Sequence, residues 1–276
     1  FRTEFLFMDS DSLPDEEKQF EAYKTAAQTM GDREIIIRTL DIGGDKEIPY
    51  MGLSREDNPF LGYRAVRYCL DHKDIYSVQL RAILRASAYG HIKIMVPLVT
   101  CVEEIRSVRR LIEDIKAELD SKGIAYDKGI ETGVMIETPS ASEIADLLAK
   151  EADFFSIGTN DLTQYTMAVD RGNPKVSYLY SVYQPSVIRS LKRIINAADK
   201  AGIKVGMCGE AAADALLTPL LIAFGLNEFS VSPVSILKTR KNIGSWTKAE
   251  AVKVAESVLL MDTAEKIEDF LKKHVK

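Results

Sequence analysis

The run Phe154-Phe155-Ser156-Ile157-Gly158-Thr159-Asn160-Asp161-Leu162-Thr163-Gln164-Tyr165-Thr166-Met167-Ala168-Val169-Asp170-Arg171 decides how the rest of the chain is read. Its first five residues are a short, nearly continuous apolar run, which predicts a buried strand. Thr159-Asn160-Asp161 then interrupts the run with small polar residues, and helical spacing follows. A carboxylate and an amide are therefore left where strand gives way to helix, the position at which parallel α/β folds place ligand chemistry.

The same strand-then-helix unit recurs on both sides of this corner. Towards the carboxyl terminus, Val187, Ile188, Leu191, Ile194, Ile195 and Ala198 mark a helix face, Lys204–Gly209 is a seventh strand and Asn227–Ser232 an eighth. Helices at about 248–260 and 263–273 finish the chain. Towards the amino terminus, Thr132–Glu137 is a fifth strand whose helix opens on Thr138 as N-cap and Pro139 in the first turn. His91–Leu98 is a fourth strand, followed by a helix with Ile105, Val108, Leu111, Ile112, Ile115 and Leu119 on one face. Glu34–Asp41 is a second strand entering the glycine turn Ile42-Gly43-Gly44-Asp45-Lys46, and a short third strand is expected after Arg64. Phe1–Met8 has the look of a strand caught in mid-course, so the sequence is expected to be part of a longer protein.

Eight strand signals alternating with helices predict a closed (β/α)8 barrel with extra C-terminal helices, a doubly wound open sheet being the alternative. All 276 residues are expected to form one domain. Composition fits a globular protein, with 46% apolar and 28% charged residues. A net charge of −5 without a Lys/Arg run argues against nucleic acid or a membrane surface as the main partner. The longest apolar tract, residues 216–226, is too short to span a bilayer and contains Pro219, and no signal-peptide pattern is present. Cys69, Cys101 and Cys208 are an odd number without metal-ligand spacing, which points to reduced thiols and a cytoplasmic setting.

Polar residues at strand ends are the candidate site. Glu137 ends the fifth strand and Asp161 the sixth, so the two are neighbours on the rim and can share a hard cation such as Mg²⁺, which commonly takes one or two protein carboxylates. The alternatives are a helix N-cap for Asp161 and a surface acid for Glu137. Arg2, Arg38, Arg64 and Arg171 place guanidinium forks around that pair, matched to phosphate or carboxylate. Their alternative is structural ion pairing with Glu4, Asp41 or Asp170. Cys208 is open to three readings, nucleophile, metal ligand or proton donor, with a small buried hydrophobe as the fourth; without a neighbouring histidine the Cys-His nucleophile has little support. Cys69 and Cys101 fall on helix-side segments and are expected to be structural.

The motifs Arg38-Thr39-Leu40-Asp41-Ile42-Gly43-Gly44-Asp45-Lys46, Asn58-Pro59-Phe60-Leu61-Gly62-Tyr63-Arg64, Gly133-Val134-Met135-Ile136-Glu137-Thr138-Pro139, the corner quoted above and Gly206-Met207-Cys208-Gly209-Glu210 run in order along almost the whole chain. Together they resemble the carboxyl-terminal domain of Enzyme I of the phosphoenolpyruvate:sugar phosphotransferase system. The resemblance implies a (β/α)8 barrel that binds phosphoenolpyruvate and Mg²⁺, forms a homodimer and works in the bacterial cytoplasm. It implies that Glu137 and Asp161 hold Mg²⁺, that Arg2, Arg38, Asn160 and Arg171 hold phosphoenolpyruvate with Asp161 and Arg64 beside them, and that Cys208 protonates the enolate carbon to give pyruvate.

The phosphoryl acceptor in that family is a histidine on an amino-terminal domain, which also docks the phosphocarrier HPr. This chain is expected to lack that domain and so to supply the donor half of a phosphotransferase only. Pyruvate phosphate dikinase and phosphoenolpyruvate synthase are the weaker resemblance, and a non-catalytic dimerisation scaffold is the reading from another class. Three positions depart from the family pattern: Ala213 stands where a glycine is usual, Val182 where a proline is usual and Gln184 where a histidine is usual.

Overall fold

The computed structural model describes residues 1–43, 48–53 and 55–275. It divides into two compact units, Phe1–Val134 and Met135–Lys276, with the boundary inside a strand.

In the first unit, helix α1 (Glu4–Met8) and helix α2 (Glu16–Met30) precede strand β1 (Ile35–Arg38). Asp15 caps α2, accepting from the Lys18 amide at 2.8 Å, and Glu16 and Glu17 sit in the first turn, where the helix dipole favours acids. Helices α3 (Val66–Asp71) and α4 (Lys73–Ala86), strand β2 (Ile92–Val96), helix α5 (Val102–Ser121) and strand β3 (Thr132–Ile136) follow. β1 pairs with β2, and β2 with β3, all parallel; Ile37 lies opposite Ile94, and both are fully buried. β2 and β3 are buried at every residue, as expected of parallel strands covered on both faces. The predicted face of α5 is the buried one, through Ile105, Val108, Ile112, Ile115 and Leu119; Leu111 lies at its margin, half-buried.

The second unit holds α6 (Pro139–Glu143), α7 (Ala145–Leu148), β4 (Phe154–Gly158), α8 (Thr159–Met167), α9 (Pro185–Ala201), β5 (Lys204–Cys208), α10 (Thr218–Phe224), β6 (Glu228–Phe229), α11 (Ile236–Gly244), α12 (Lys248–Leu259) and α13 (Ala264–His274). β4 pairs with β5 from Phe154 opposite Lys204 to Gly158 opposite Cys208, and β5 pairs with β6, again parallel. Val187, Ile188, Leu191, Ile194, Ile195 and Ala198 are the buried stripe of α9, as their spacing predicts. Thr138 caps α6, its hydroxyl accepting from the Ala141 amide at 3.1 Å, and Thr247 and Thr263 cap the two terminal helices.

The described residues thus form a mixed α/β fold with parallel strands in chain order, six of the eight that the pattern predicts. Two predicted strands are replaced. Phe1–Met8 is not a strand: Arg2 makes one isolated parallel bridge with Arg38, and the chain turns at once into α1. In α1, Glu4 and Phe7 are buried while Phe5 and Met8 are each 49% exposed, the three-residue spacing of a helix; a short apolar run does not by itself distinguish the two periods. After Arg64 the chain forms α3, with Val66, Tyr68 and Cys69 buried, instead of a third strand. The eighth is cut to two residues. Gly44, Asp45 and Lys46 of the predicted glycine turn lie outside the described residues. Among the described residues, no helix is long and apolar enough to cross a membrane.

Candidate functional site

In the first unit the end of β1 carries Arg38, and the next turn carries Asp41. Asp41 is 3% exposed and takes two guanidinium groups at once: Arg38 Nη1 lies 3.0 Å from Asp41 Oδ2, and Arg64 Nη2 donates to Asp41 Oδ1 at 2.8 Å. Glu4, also buried, accepts from Arg38 Nη2 at 2.5 Å. The result is a chain of alternating charge, Glu4, Arg38, Asp41, Arg64, removed almost entirely from water. Each ion finds its neutralising neighbour inside the protein, the condition for burying charge without prohibitive cost. Arg2 is joined to Arg38 by the backbone bridge, and its exposed guanidinium lies 5.0 Å over the Phe5 ring. Of the predicted site residues, Arg38 and Arg64 are therefore brought together through an acid, and they make the ion pairs with Glu4 and Asp41 that the sequence offered beside ligand binding.

A glycine makes the Arg64 position possible. Gly43 has φ +107°, and a Cβ there would fall 2.5 Å from the Arg64 Cβ. Tyr76 and Gln79 of α4 complete the setting: the Tyr76 hydroxyl donates to Thr39 Oγ1 at 3.3 Å, and Gln79 Oε1 accepts from the Leu40 amide at 2.8 Å. The strand end is thereby tied to the helix behind it. Burial pushes the Cys69 thiol far above its ordinary range and leaves it a core residue, as expected; Cys101 is the N-cap of α5.

In the second unit five predicted residues converge on the ends of three strands. Glu137 follows β3 directly and is 3% exposed. Its carboxylate lies against Gly158, the last residue of β4, so closely that a Cβ on Gly158 would fall 2.5 Å from Glu137 Oε2. Three residues later, in the first turn of α8, stands Asp161, 8% exposed. α8 ends at Ala168 in the left-handed region, φ +51°, a conformation that costs a non-glycine residue roughly 1–2 kcal/mol. That turn brings the chain back: the Arg171 amide donates to Gln164 Oε1 at 3.1 Å, and Arg171 Nη1 donates to Asp161 Oδ1 at 3.0 Å. Asp161 is thus an arginine partner, and the N-cap position of α8 belongs to Gly158.

Cys208 ends β5 and is half-buried, its thiol donating to the Ile157 carbonyl at 3.6 Å. Its own carbonyl accepts from Thr159 Oγ1 at 3.0 Å. Gly209 then takes φ +93°, and a Cβ there would fall 2.5 Å from Thr159 Oγ1 and 3.0 Å from Asn160 Oδ1. The β5 end therefore sits directly on the Thr159-Asn160 corner. The Glu210 amide donates to Asn160 Oδ1 at 3.5 Å, which turns the amide oxygen of Asn160 towards the Gly209 turn.

Two tyrosines beyond α8 complete this rim and were not singled out from the sequence. The Tyr180 hydroxyl donates to the Asn160 main-chain carbonyl at 3.2 Å. The Tyr183 hydroxyl donates to Asp214 Oδ2 at 2.5 Å, and burial together with that carboxylate raises its pKa far above the usual phenol range. Their sequence signal was the stretch 180–185, which departs from the family pattern at Val182 and Gln184.

Among the described residues no group of three or more His, Cys, Asp and Glu side chains gathers as a metal cage. Glu137 and Asp161 are two buried carboxylates, and the Glu137 carboxylate lies beside Gly158, which has no side chain. That donor set suits a hard cation that keeps most of its water or takes ligand oxygens, and it lacks the sulfur or imidazole that zinc prefers.

Comparison with known proteins places the chain. Phosphoenolpyruvate-protein phosphotransferase of Priestia megaterium is 50% identical to it over 272 residues, 99% of this chain and 48% of that protein. The protein of the same name from Bacillus subtilis (strain 168) is 50% identical over 276 residues, 100% of this chain and 48% of its own length, and that from Listeria monocytogenes is 51% identical over 274 residues. The chain spans about half the length of the curated relatives it matches. Among solved structures, a citrate lyase from Burkholderia xenovorans LB400 aligns with 74% of this chain and 69% of its own at 19% identity and a TM-score of 0.48, a likeness too slight to bear on function. The family described as PEP-utilising enzyme, PEP-binding domain matches residues 1–247, and the chain belongs to that family.

Proposed function

We propose that this chain binds phosphoenolpyruvate with Mg²⁺ and is the donor half of a phosphoenolpyruvate-protein phosphotransferase, the first step of the sugar phosphotransferase system. The convergence of Glu137, Asn160, Asp161, Arg171 and Cys208 on neighbouring strand ends of the second unit carries this reading. Glu137 and Asp161 are the proposed Mg²⁺ ligands. Arg2, Arg38, Arg64, Asn160 and Arg171 are the proposed contacts to the phosphate and carboxylate of the substrate, since guanidinium forks match both groups. A closed (β/α)8 barrel, a homodimer and a cytoplasmic setting belong to the same proposal. So do an amino-terminal histidine domain of the whole protein as acceptor and HPr as the next carrier.

In the proposed reaction an acceptor histidine nitrogen attacks phosphorus, the bond from phosphorus to the enol oxygen breaks, and pyruvate enolate is left. When bound, Mg²⁺ would supply charge neutralisation at the phosphate and enolate oxygens. The arginines hold the leaving enolate and the transferring group in line, which is most of what phosphoryl transfer asks of a protein. Cys208 gives its thiol proton to the enolate carbon, completing pyruvate.

Phosphoenolpyruvate at millimolar concentration with Mg²⁺ is expected to raise the melting temperature. Ligand at about a hundred times its Kd stabilises by about 2.7 kcal/mol, roughly 5–10 °C for a chain of this size. Asp161→Ala is expected to remove most of that gain, measured by differential scanning fluorimetry against each protein's own ligand-free baseline. No shift in the unaltered chain sinks the proposal. In the whole protein, Cys208→Ser is expected to leave phosphoenolpyruvate binding intact and to slow pyruvate formation about 100-fold, the scale of a lost general acid. Pyruvate formation at the original rate, followed by coupled spectrophotometry, rejects the thiol as proton donor.

A further inference from the structure

We propose that the outer face of α9 holds a second ligand site, separate from the strand ends, for a small molecule carrying two phosphate groups on a hydroxylated, sugar-sized spacer. Such a site is independent of the phosphoenolpyruvate reading. A cavity of about 580 Å³ opens where α9 passes Glu143 of α6, Asp146 of α7 and Leu259 at the end of α12, a size usual for small-molecule sites. Its cations are Arg189, Lys192, Arg193 and Lys200, all from α9. With Asn196 they recur at steps of three and four residues, which puts them on one face, turned away from the buried stripe that Val187, Leu191 and Ile194 run through.

What separates this face from an ordinary solvated one is its lack of compensation. Elsewhere Arg81, Arg85 and Lys93 each meet two carboxylates. Among the described residues, the side chains of Arg189, Lys192 and Lys200 make no ion pair or hydrogen bond. Arg193 does pair with Glu143, but with the side chains 48% and 69% exposed such a pair is worth about 0–1 kcal/mol and is easily exchanged for a ligand. Arg189 and Arg193, four residues apart, repel each other at a cost to the helix of about 0.2–0.5 kcal/mol. A bound anion turns that repulsion into attraction, and the arginine forks match a phosphate group bidentately. Spacing sets the rest of the ligand. At 1.5 Å of rise per residue, Arg189, Lys192 and Arg193 fall within about 6 Å along the axis, and Lys200 stands about 10 Å beyond them. Between the two ends lie the Asn196 amide and the apolar Ala197 and Leu259, which suit the hydroxyls and carbons of a spacer.

The test is isothermal titration calorimetry with fructose bisphosphate, which carries phosphates at the two ends of a sugar, and with inorganic phosphate as the single-group probe. The bisphosphate is expected to bind this chain at least tenfold more tightly than phosphate does. Arg189→Gln with Lys192→Gln keeps good helix formers on the outer face of α9 and is expected to weaken the bisphosphate at least tenfold, the scale of lost hydrogen bonds to charged groups. Lys200→Gln is expected to weaken the bisphosphate about fivefold and to leave phosphate within twofold. Lys238→Gln with Lys241→Gln, exposed on α11, removes the same charge elsewhere and is expected to change neither probe by more than twofold. The site is overturned if the unaltered chain binds no bisphosphate at millimolar concentration, or if the α11 variant loses as much as the α9 variant. A loss in Arg171→Gln with none in the α9 variants overturns it too, because the anion then sits at the strand ends. Phosphoenolpyruvate binding is read separately, from Asp161→Ala, so either reading can fail while the other stands.

Discussion

Asp41→Ala is expected to destabilise the protein by about 3–5 kcal/mol, the cost of removing one partner from a buried ion pair. Asp41 is 3% exposed and stands between Arg38 and Arg64, whose side chains are 12% and 6% exposed. Without it two buried guanidinium groups lose the carboxylate they share, and they repel each other in a region where water cannot screen them. At roughly 2–4 °C per kcal/mol for a chain of this size, the melting temperature should fall by about 6–20 °C. Glu118→Ala is the internal comparison. Glu118 meets Arg81 at 2.8 Å, but with the side chains 34% and 21% exposed. Exposed pairs of that kind are worth about 0–1 kcal/mol, so the distance matches while the expected effect does not. If urea denaturation finds Asp41→Ala no more damaging than Glu118→Ala, the buried network is not the stabilising unit described here.

Gly158→Ala is expected to cost about 1–3 kcal/mol in stability and to lower divalent-metal affinity at least tenfold. The backbone at Gly158, φ −88°, suits any residue, so strain in the main chain is not the cause. Space is. A methyl group there would meet Glu137 Oε2 at 2.5 Å, Glu137 Cβ at 2.8 Å and Met135 Cγ at 3.2 Å. A carboxylate end can rotate away, but a Cβ moves only with its strand. Glu137 must therefore leave its place beside β4, and the proposed metal pair with Asp161 is lost. Mn²⁺ binding followed by electron paramagnetic resonance, with Glu137→Gln alongside, reads this directly. Mn²⁺ held by Gly158→Ala as tightly as by the unaltered chain excludes Glu137 as a ligand placed by that glycine.

These two expectations differ in how far the sequence foreshadows them. Long periodic segments were legible: α5 and α9 bury the residues their spacing selects, because three or more turns of repeat leave only one face that can meet a core. The short apolar runs were not. Phe5-Leu6-Phe7-Met8 satisfies a strand and a helix equally, and the bridge of Arg2 to Arg38 followed by an immediate turn decided for α1. The run after Arg64 went the same way, into α3.

The candidate site divides along the same line. Glu137, Asp161 and Cys208 were legible because each directly follows, or stands within three residues of, a strand buried almost throughout, and a polar side chain has no core role at such a place. The partners of these residues were not legible. Arg64 reaches Asp41 across 23 residues of chain, Arg171 returns to Asp161 only because Ala168 accepts a left-handed turn, and Tyr180 finds Asn160 twenty residues back.

By itself, then, the sequence determined a parallel α/β chain, its long helices, the strand ends at which chemistry is possible, and the family whose motifs it carries. These follow from periodicity and from the cost of burying a polar group, both of which act locally. Only the tertiary structure decided that Arg38 and Arg64 share one buried aspartate, that Glu137 stands where Gly158 has no side chain, and that the Tyr180 hydroxyl reaches the Asn160 carbonyl. Charge pairing and steric fit depend on distances between residues far apart in the chain, and those distances exist only once it has folded.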